Sequence, residues 1–252
     1  MRIRRSWKAV PALLVGAVAL VSAVPQEDVG APAVVLGGTL EGRVFFNGAG
    51  PEAERIRVNK DPQVCGSSKM SEEFIVSADN NGLKNVVVLI QGAGEAPEPT
   101  TINIDQEECV YGPHVQVATP GATLNLTNND ATLHNVHGYL MVGDDARRTV
   151  FNIAQPAPED PTSPISTQRQ LRFPGVYRIE CDVHPWMLSH VIVHENAFYA
   201  ITDESGNYSI PDVPAGTYTV QIWHEGLGMA ERSVTVGEGE SVTLDLPIEA
   251  NE

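Results

Sequence analysis

The chain has 252 residues, with 16 Lys and Arg against 32 Asp and Glu and a formal net charge of −16. Such an excess of acid excludes nucleic acid as a partner. It serves solubility, and at low salt it would steer the protein toward a basic partner. Met1 to Lys8 is a basic leader, Ala9 to Val21 is apolar but short for a spanning helix, and Val21-Ser22-Ala23 reads as a small-residue cleavage site. Residues 1–23 are therefore expected to be a signal peptide that directs export to the periplasm or the cell exterior. No stable membrane span is expected in the mature chain. Arg4-Arg5 could belong to a twin-arginine signal, but Trp7 and Lys8 stand where apolar residues would follow. No Cys follows the apolar stretch to take a lipid anchor.

Nothing beyond the leader reads as a substantial helix. Short alternating runs bounded by Gly, Pro, Asn and Asp continue to the end, so the expected fold class is all-β, and the length favours two sandwiches over one. The first runs are Gly42-Arg43-Val44-Phe45-Phe46 and Asn85-Val86-Val87-Val88-Leu89-Ile90. The Pro-, Ala- and acid-rich stretches 92–99 and 155–164 read as surface loops.

Further strands are read at His114 to Ala118 and Ala122 to Asn128, followed by Leu133-His134-Asn135-Val136-His137. In Val176 to Cys181, Tyr177, Ile179 and Cys181 share one face and Arg178 and Glu180 the other, so Cys181 points inward at the strand's end. Pro185 then breaks the ladder, and Leu188 to Val193 restarts it. The intervening loop, Cys181-Asp182-Val183-His184-Pro185-Trp186-Met187, places a thiolate, an imidazole and a thioether in one turn. With His134 these are the ligand types of a mononuclear electron-transfer copper site: two His and one Cys in a plane and a weak axial Met. Zinc fits less well, because structural zinc sites rarely accept a thioether.

The Cys-x-x-His-Pro-aromatic-Met loop, with the upstream His-Asn-Val-His and its flanking strands, resembles the cupredoxins, amicyanin in particular, over residues 99–195. The resemblance implies a Greek-key sandwich, one type 1 copper ion held by His134, Cys181, His184 and Met187, and Asn135 tying the two ligand loops together. It also implies one-electron exchange with a redox protein, with no turnover of the chain's own. Copper storage or delivery is the alternative, though exposed Met- or His-rich tracts are lacking; a metal-free binding or scaffold module is another. There is no His-Cys-His run of the multicopper-oxidase kind, and only one Cys stands in the loop, so no dinuclear centre is expected. Cys181 is followed by Asp182, not by the His that couples the two coppers of nitrite reductases, which disfavours a second copper at His137 and His190.

With Cys181 a ligand, Cys65 and Cys109 remain. A bridge between them would close a loop of about 44 residues, worth on the order of 3–4 kcal/mol in the chain-entropy model. Two buried free thiols are the other reading, disfavoured in an oxidising compartment. His137 is expected on the face opposite His134, and His114, His190, His194 and His224 are expected in structural or surface roles.

Ile201 to Val220, with its Thr-Asp-x-x-Gly-x-Tyr run, resembles the carboxypeptidase regulatory-like sandwich, which brings no catalytic residues. Such a module opens with runs like 42–46 and 85–90, so the resemblance favours a split module of residues 37–98 and 196–250 with the cupredoxin inserted. Consecutive domains are the simpler alternative. His184, flanked by Pro185 and Trp186, is expected to offer its ring edge and an apolar patch to the partner. Trp223 falls on the polar face of its strand, which calls either for cover by the copper domain or for a bulge returning it to its own core.

Overall fold

The computed structural model describes residues 37–143, 146–160 and 162–249; the expected signal peptide lies outside them. Among the described residues, no helix is long and apolar enough to cross a membrane. The chain opens with β1 (Gly38–Asn47), β2 (Arg55–Arg57), the one-turn helix α1 (Pro62–Cys65), β3 (Ser68–Met70) and β4 (Val87–Ile90). Nine strands follow: β5 (Thr101–Glu107), β6 (Val110–Gly112), β7 (Val115–Ala118), β8 (Ala122–Asn128), β9 (His134–Val142), β10 (Ala146–Gln155), β11 (Ile165–Leu171), β12 (Gly175–Glu180) and β13 (Leu188–Val193). The last are β14 (Tyr199–Ile201), β15 (Asn207–Val213), β16 (Gly216–His224), β17 (Gly228–Val236), β18 (Ser241–Thr243) and β19 (Leu246–Glu249).

A five-stranded sheet, β10-β9-β12-β13-β7, faces a four-stranded sheet, β11-β8-β5-β6. Their alternating inward residues, among them Ile104, Leu124, Leu126, Val136, Tyr177, Ile179 and Val191, fill one core. The second sandwich draws on both ends of the described chain. β1 pairs with β15, β18 and β19, and β4 lies between β14 and β16, with β17 outside. Its core holds Leu40 and Val44 from β1 with Val220, Ile222 and Val234. Strands on either side of residues 99–195 thus share sheets.

β4 explains its own composition. Val88 and Ile90 enter the second core, while Val87 and Leu89 meet Val115, Val117, Ile192 and Trp223 in a third cluster between the sandwiches. A strand buried on both faces needs a continuous apolar run rather than alternation. Trp223 is covered by Val115, Val117 and Ile192 of the first sandwich, and its strand pairs in regular register with β17, so no bulge turns it inward.

The segment between β1 and β4 behaves differently from those strands. β2 and β3 form a separate ribbon, and Val58, Val64 and Cys65 pack into the first core, although residues 37–98 were expected to serve the second sandwich. A disulfide holds them there: Cys65 and Cys109 are bonded, with Cα atoms 5.1 Å apart.

Candidate metal centre

β12 delivers Cys181 into the core as its alternation requires; Tyr177 and Cys181 are each 2% exposed, and Ile179 is fully buried. The turn that follows closes on itself. The Met187 N–H donates to the His184 carbonyl at 2.9 Å, and the Cys181 N–H to the Met187 carbonyl at 3.3 Å. His134 enters from the start of β9, and one ligand atom from each of His134, Cys181 and His184 lies within 4.8 Å of the other two. Met187 is buried in the same cluster as Cys181.

The imidazole hydrogen bonds fix what the site can hold. His134 Nε2 donates to Asp130 Oδ2 at 2.8 Å, and His184 Nε2 donates to Asp61 Oδ2 at 3.0 Å. A carboxylate only accepts, so each Nε2 carries a proton, and each Nδ1 carries a lone pair when its ring is neutral. Those two Nδ1 atoms face each other at 2.9 Å, and Cys181 Sγ lies 3.8 Å from His184 Nδ1. Two lone pairs cannot hydrogen-bond; a proton on His134, which against its burial Asp130 and Cys181 hold above its ordinary value, resolves the arrangement, and a metal ion between the rings would replace that proton. The carboxylate behind each ring is what metal-binding His use to hold tautomer and orientation. Burial alone would push the Cys181 thiol up, but hydrogen bonds from His134 and from the backbone around the sulfur hold it below its ordinary value. The hydrogen bond from His184 keeps the Asp61 carboxyl low, while burial and the neighbouring His134 pull His184 down, so the pair is a carboxylate beside a neutral ring.

Asn135 lies between the two ligand segments. Its Oδ1 accepts from the Asp182 N–H at 2.8 Å and faces Cys181 Sγ at 3.5 Å, and its Nδ2 donates to Asp182 Oδ2 at 2.9 Å. Asp130 is a further support that sequence reasoning passed over, although it stands only four residues before His134. Besides His134 it accepts from the backbone N–H groups of Glu108 and Cys109, linking the ligand to the disulfide hairpin.

The expected exposed edge of His184 is not found. His184 is fully buried beneath Asp61, which sits in a left-handed conformation (φ 49°) just before α1, and the disulfide anchors that cap. A sulfur of the disulfide itself comes within 4.8 Å of a His184 nitrogen. Trp186 is only partly exposed, on the wall of a cleft. Half-buried, its ring lies tilted against that of His184, with centroids 5.1 Å apart, and it donates its indole N–H to the Cys109 carbonyl at 3.1 Å, while Pro185 remains exposed. Local sequence could not show this cover, because Asp61 is 123 residues from His184.

His137 points away from the centre, stacked on Tyr139 with ring centroids 4.0 Å apart and hydrogen-bonded to Asp182 and Thr149. His194 Nε2 lies 3.3 Å from the Ile90 carbonyl, and His224 packs against Phe74. His114 and His190, expected in separate structural roles, meet at Glu225.

Residues 189–249 match the carboxypeptidase regulatory-like domain. No curated protein sequence matches the chain. Among solved structures, a purple cupredoxin from Nitrosopumilus maritimus is 21% identical, covering 36% of this chain and 98% of its own, with a TM-score of 0.28. An amicyanin variant in its reduced Cu(I) form at pH 4 is 21% identical over 42% of this chain and 98% of its own, with a TM-score of 0.29. The copper-containing nitrite reductase of Thermus scotoductus SA-01 is 18% identical over 41% of this chain, which spans only 24% of the reductase, with a TM-score of 0.30. The described chain is all-β, residues 189–249 are similar to the carboxypeptidase regulatory-like domain, and the solved structures similar to part of the chain include cupredoxins.

Proposed function

We propose that this is an exported type 1 copper protein that carries single electrons to or from a redox protein in the periplasm or at the cell surface. His134, Cys181 and His184 would hold the ion, with Met187 as the weak fourth ligand; bound copper supplies a one-electron couple. The chain's own residues supply rigidity. Asp130 and Asp61 orient the two rings, Asn135 locks one ligand segment to the other, and the disulfide-anchored cap excludes water. Residues 99–195 are the electron-carrying module, inserted into a regulatory-like sandwich made of residues 37–98 and 196–250, with the 55–70 excursion lent to the copper module as its cover. No turnover is assigned to the chain. Since Asp61 is partly exposed and bonded to His184, the electron's path to the partner runs past the cap rather than through a bare imidazole edge.

The observation that carries this reading is the pair of carboxylate-backed rings whose Nδ1 atoms face each other beside the buried Cys181. The test is voltammetry of the copper-loaded mature chain. A reversible one-electron couple is expected, and Met187→Gln should lower its potential, because a harder oxygen favours Cu(II). Absence of any reversible couple would contradict the carrier role, and an unchanged potential in Met187→Gln would remove Met187 from the ligand set.

A further inference from the structure

A second group of ligand-type side chains lies between the sandwiches. His114 precedes β7, His190 lies in β13, and Glu225 follows β16, so three separate elements contribute. His114 Nε2 is bonded to Glu225 Oε1, and His190 Nδ1 lies 3.7 Å from Oε2 of the same carboxylate. One ligand atom from each of the three lies within 4.8 Å of the other two, and the three side chains are at most 5% exposed.

One feature sets the charge in this cluster, and another points to a missing partner. His114 donates from Nδ1 to the Leu188 carbonyl at 3.1 Å and from Nε2 to Glu225, whose carboxylate, against the ring's burial, holds it above its ordinary value, so a metal ion at Nε2 would take the place of that proton. His190 Nδ1, by contrast, is buried with no hydrogen-bond partner among the described residues, an unfavourable state for a polar atom. Burial pushes His190 down to about 3, so its ring is neutral and able to donate a lone pair. A cleft of about 330 Å³ opens onto His114 and Glu225, and Glu54, Glu72 and Glu73 outnumber Lys69 along it, a balance that favours cations.

We propose that His114, His190 and Glu225 form a second metal site, for a divalent cation of the zinc class, with an open position toward the cleft. Donors about 2.0–2.2 Å from one ion stand roughly 3.3–3.6 Å apart in tetrahedral geometry, close to the His190–Glu225 separation of 3.7 Å. The donor set is imidazole and carboxylate without sulfur, which separates it from the copper loop in metal preference. Bound metal would staple the two sandwiches. Through the bond from His114 to Leu188 it would also steady the residue that follows Met187.

The competing account is a buried His114–Glu225 ion pair that binds nothing. Cobalt(II), with zinc(II) as competitor, distinguishes the two in the mature Cys181→Ser chain, where the copper reading plays no part. The expected result is uptake of one equivalent of Co(II) with visible ligand-field bands, displaced by Zn(II), and a melting temperature that rises with zinc concentration. His190→Ala and Glu225→Gln should each weaken binding at least tenfold. If His190→Ala fails to fold, the nearly isosteric Glu225→Gln still decides. No uptake, a melting temperature indifferent to zinc, or uptake that survives Glu225→Gln would overturn the proposal, the last by assigning the metal to His134 and His184.

Discussion

The centre at His134, Cys181 and His184 and the cluster at His114, His190 and Glu225 each bury two imidazoles near carboxylates, yet they are assembled in different ways. Three of the four ligands proposed for the first come from one seven-residue turn, and sulfur is among them. The second takes one side chain from each of three elements, and His114 and Glu225 are 111 residues apart. Carboxylates stand behind the rings in the first and at the mouth in the second. The contrast teaches that a buried imidazole is read through its partners: a carboxylate beside a ring fixes where its proton sits, and a buried ring nitrogen without a partner is a ligand in waiting.

Substitutions at the two supports should separate the regions. Trp223 is 7% exposed, and its ring centroid lies 5.1 Å from that of His190, so Trp223→Ala should have the largest effect, about 3–5 kcal/mol of stability by urea denaturation. It should speed proteolysis between the sandwiches and weaken zinc binding while the copper spectrum stays unchanged. Unfolding confined to β14 through β19, with interdomain proteolysis unaltered, would show that Trp223 serves only its own sandwich.

The reverse pattern is expected of the disulfide. Cys65→Ser with Cys109→Ser should cost about 2–4 kcal/mol, loosen the Asp61 cap and speed copper loss to a chelator, with zinc binding at the junction unaffected. Copper loss at the wild-type rate would mean that the cap holds without its anchor. Asp61→Asn should do least. The amide cannot keep a full negative charge behind His184, so reduction becomes easier and the potential rises by roughly 60 mV or less, about a tenfold change in a one-electron equilibrium. Voltammetry beside wild type would detect it, and a fall in potential would count against the Asp61 contact.

How much of this was legible follows from the same contrast. Alternation in Val176 to Cys181 placed Cys181 inward, and the cysteine count paired Cys65 with Cys109, because both signals are local or arithmetical. The polar-face position of Trp223 pointed to outside cover, which Val115, Val117 and Ile192 supply. The unbroken run Val86 to Ile90 read only as apolar; its meaning, burial on both faces, depends on which sheets meet. The cap was illegible because nothing near Asp61 refers to His184, so the imidazole edge expected at the surface lies buried. The second cluster was illegible for a related reason: each His taken singly has an adequate structural role, and only the fold brings Glu225 between them.

The central claim is a copper ion bound through the Cys181 thiolate, and optical titration of the metal-free mature chain with Cu(II) tests it most directly. The account predicts an intense visible band from thiolate-to-copper charge transfer that saturates at one equivalent and is absent from a folded Cys181→Ser protein. A weak, broad spectrum of nitrogen and oxygen ligation in the wild-type chain would contradict it.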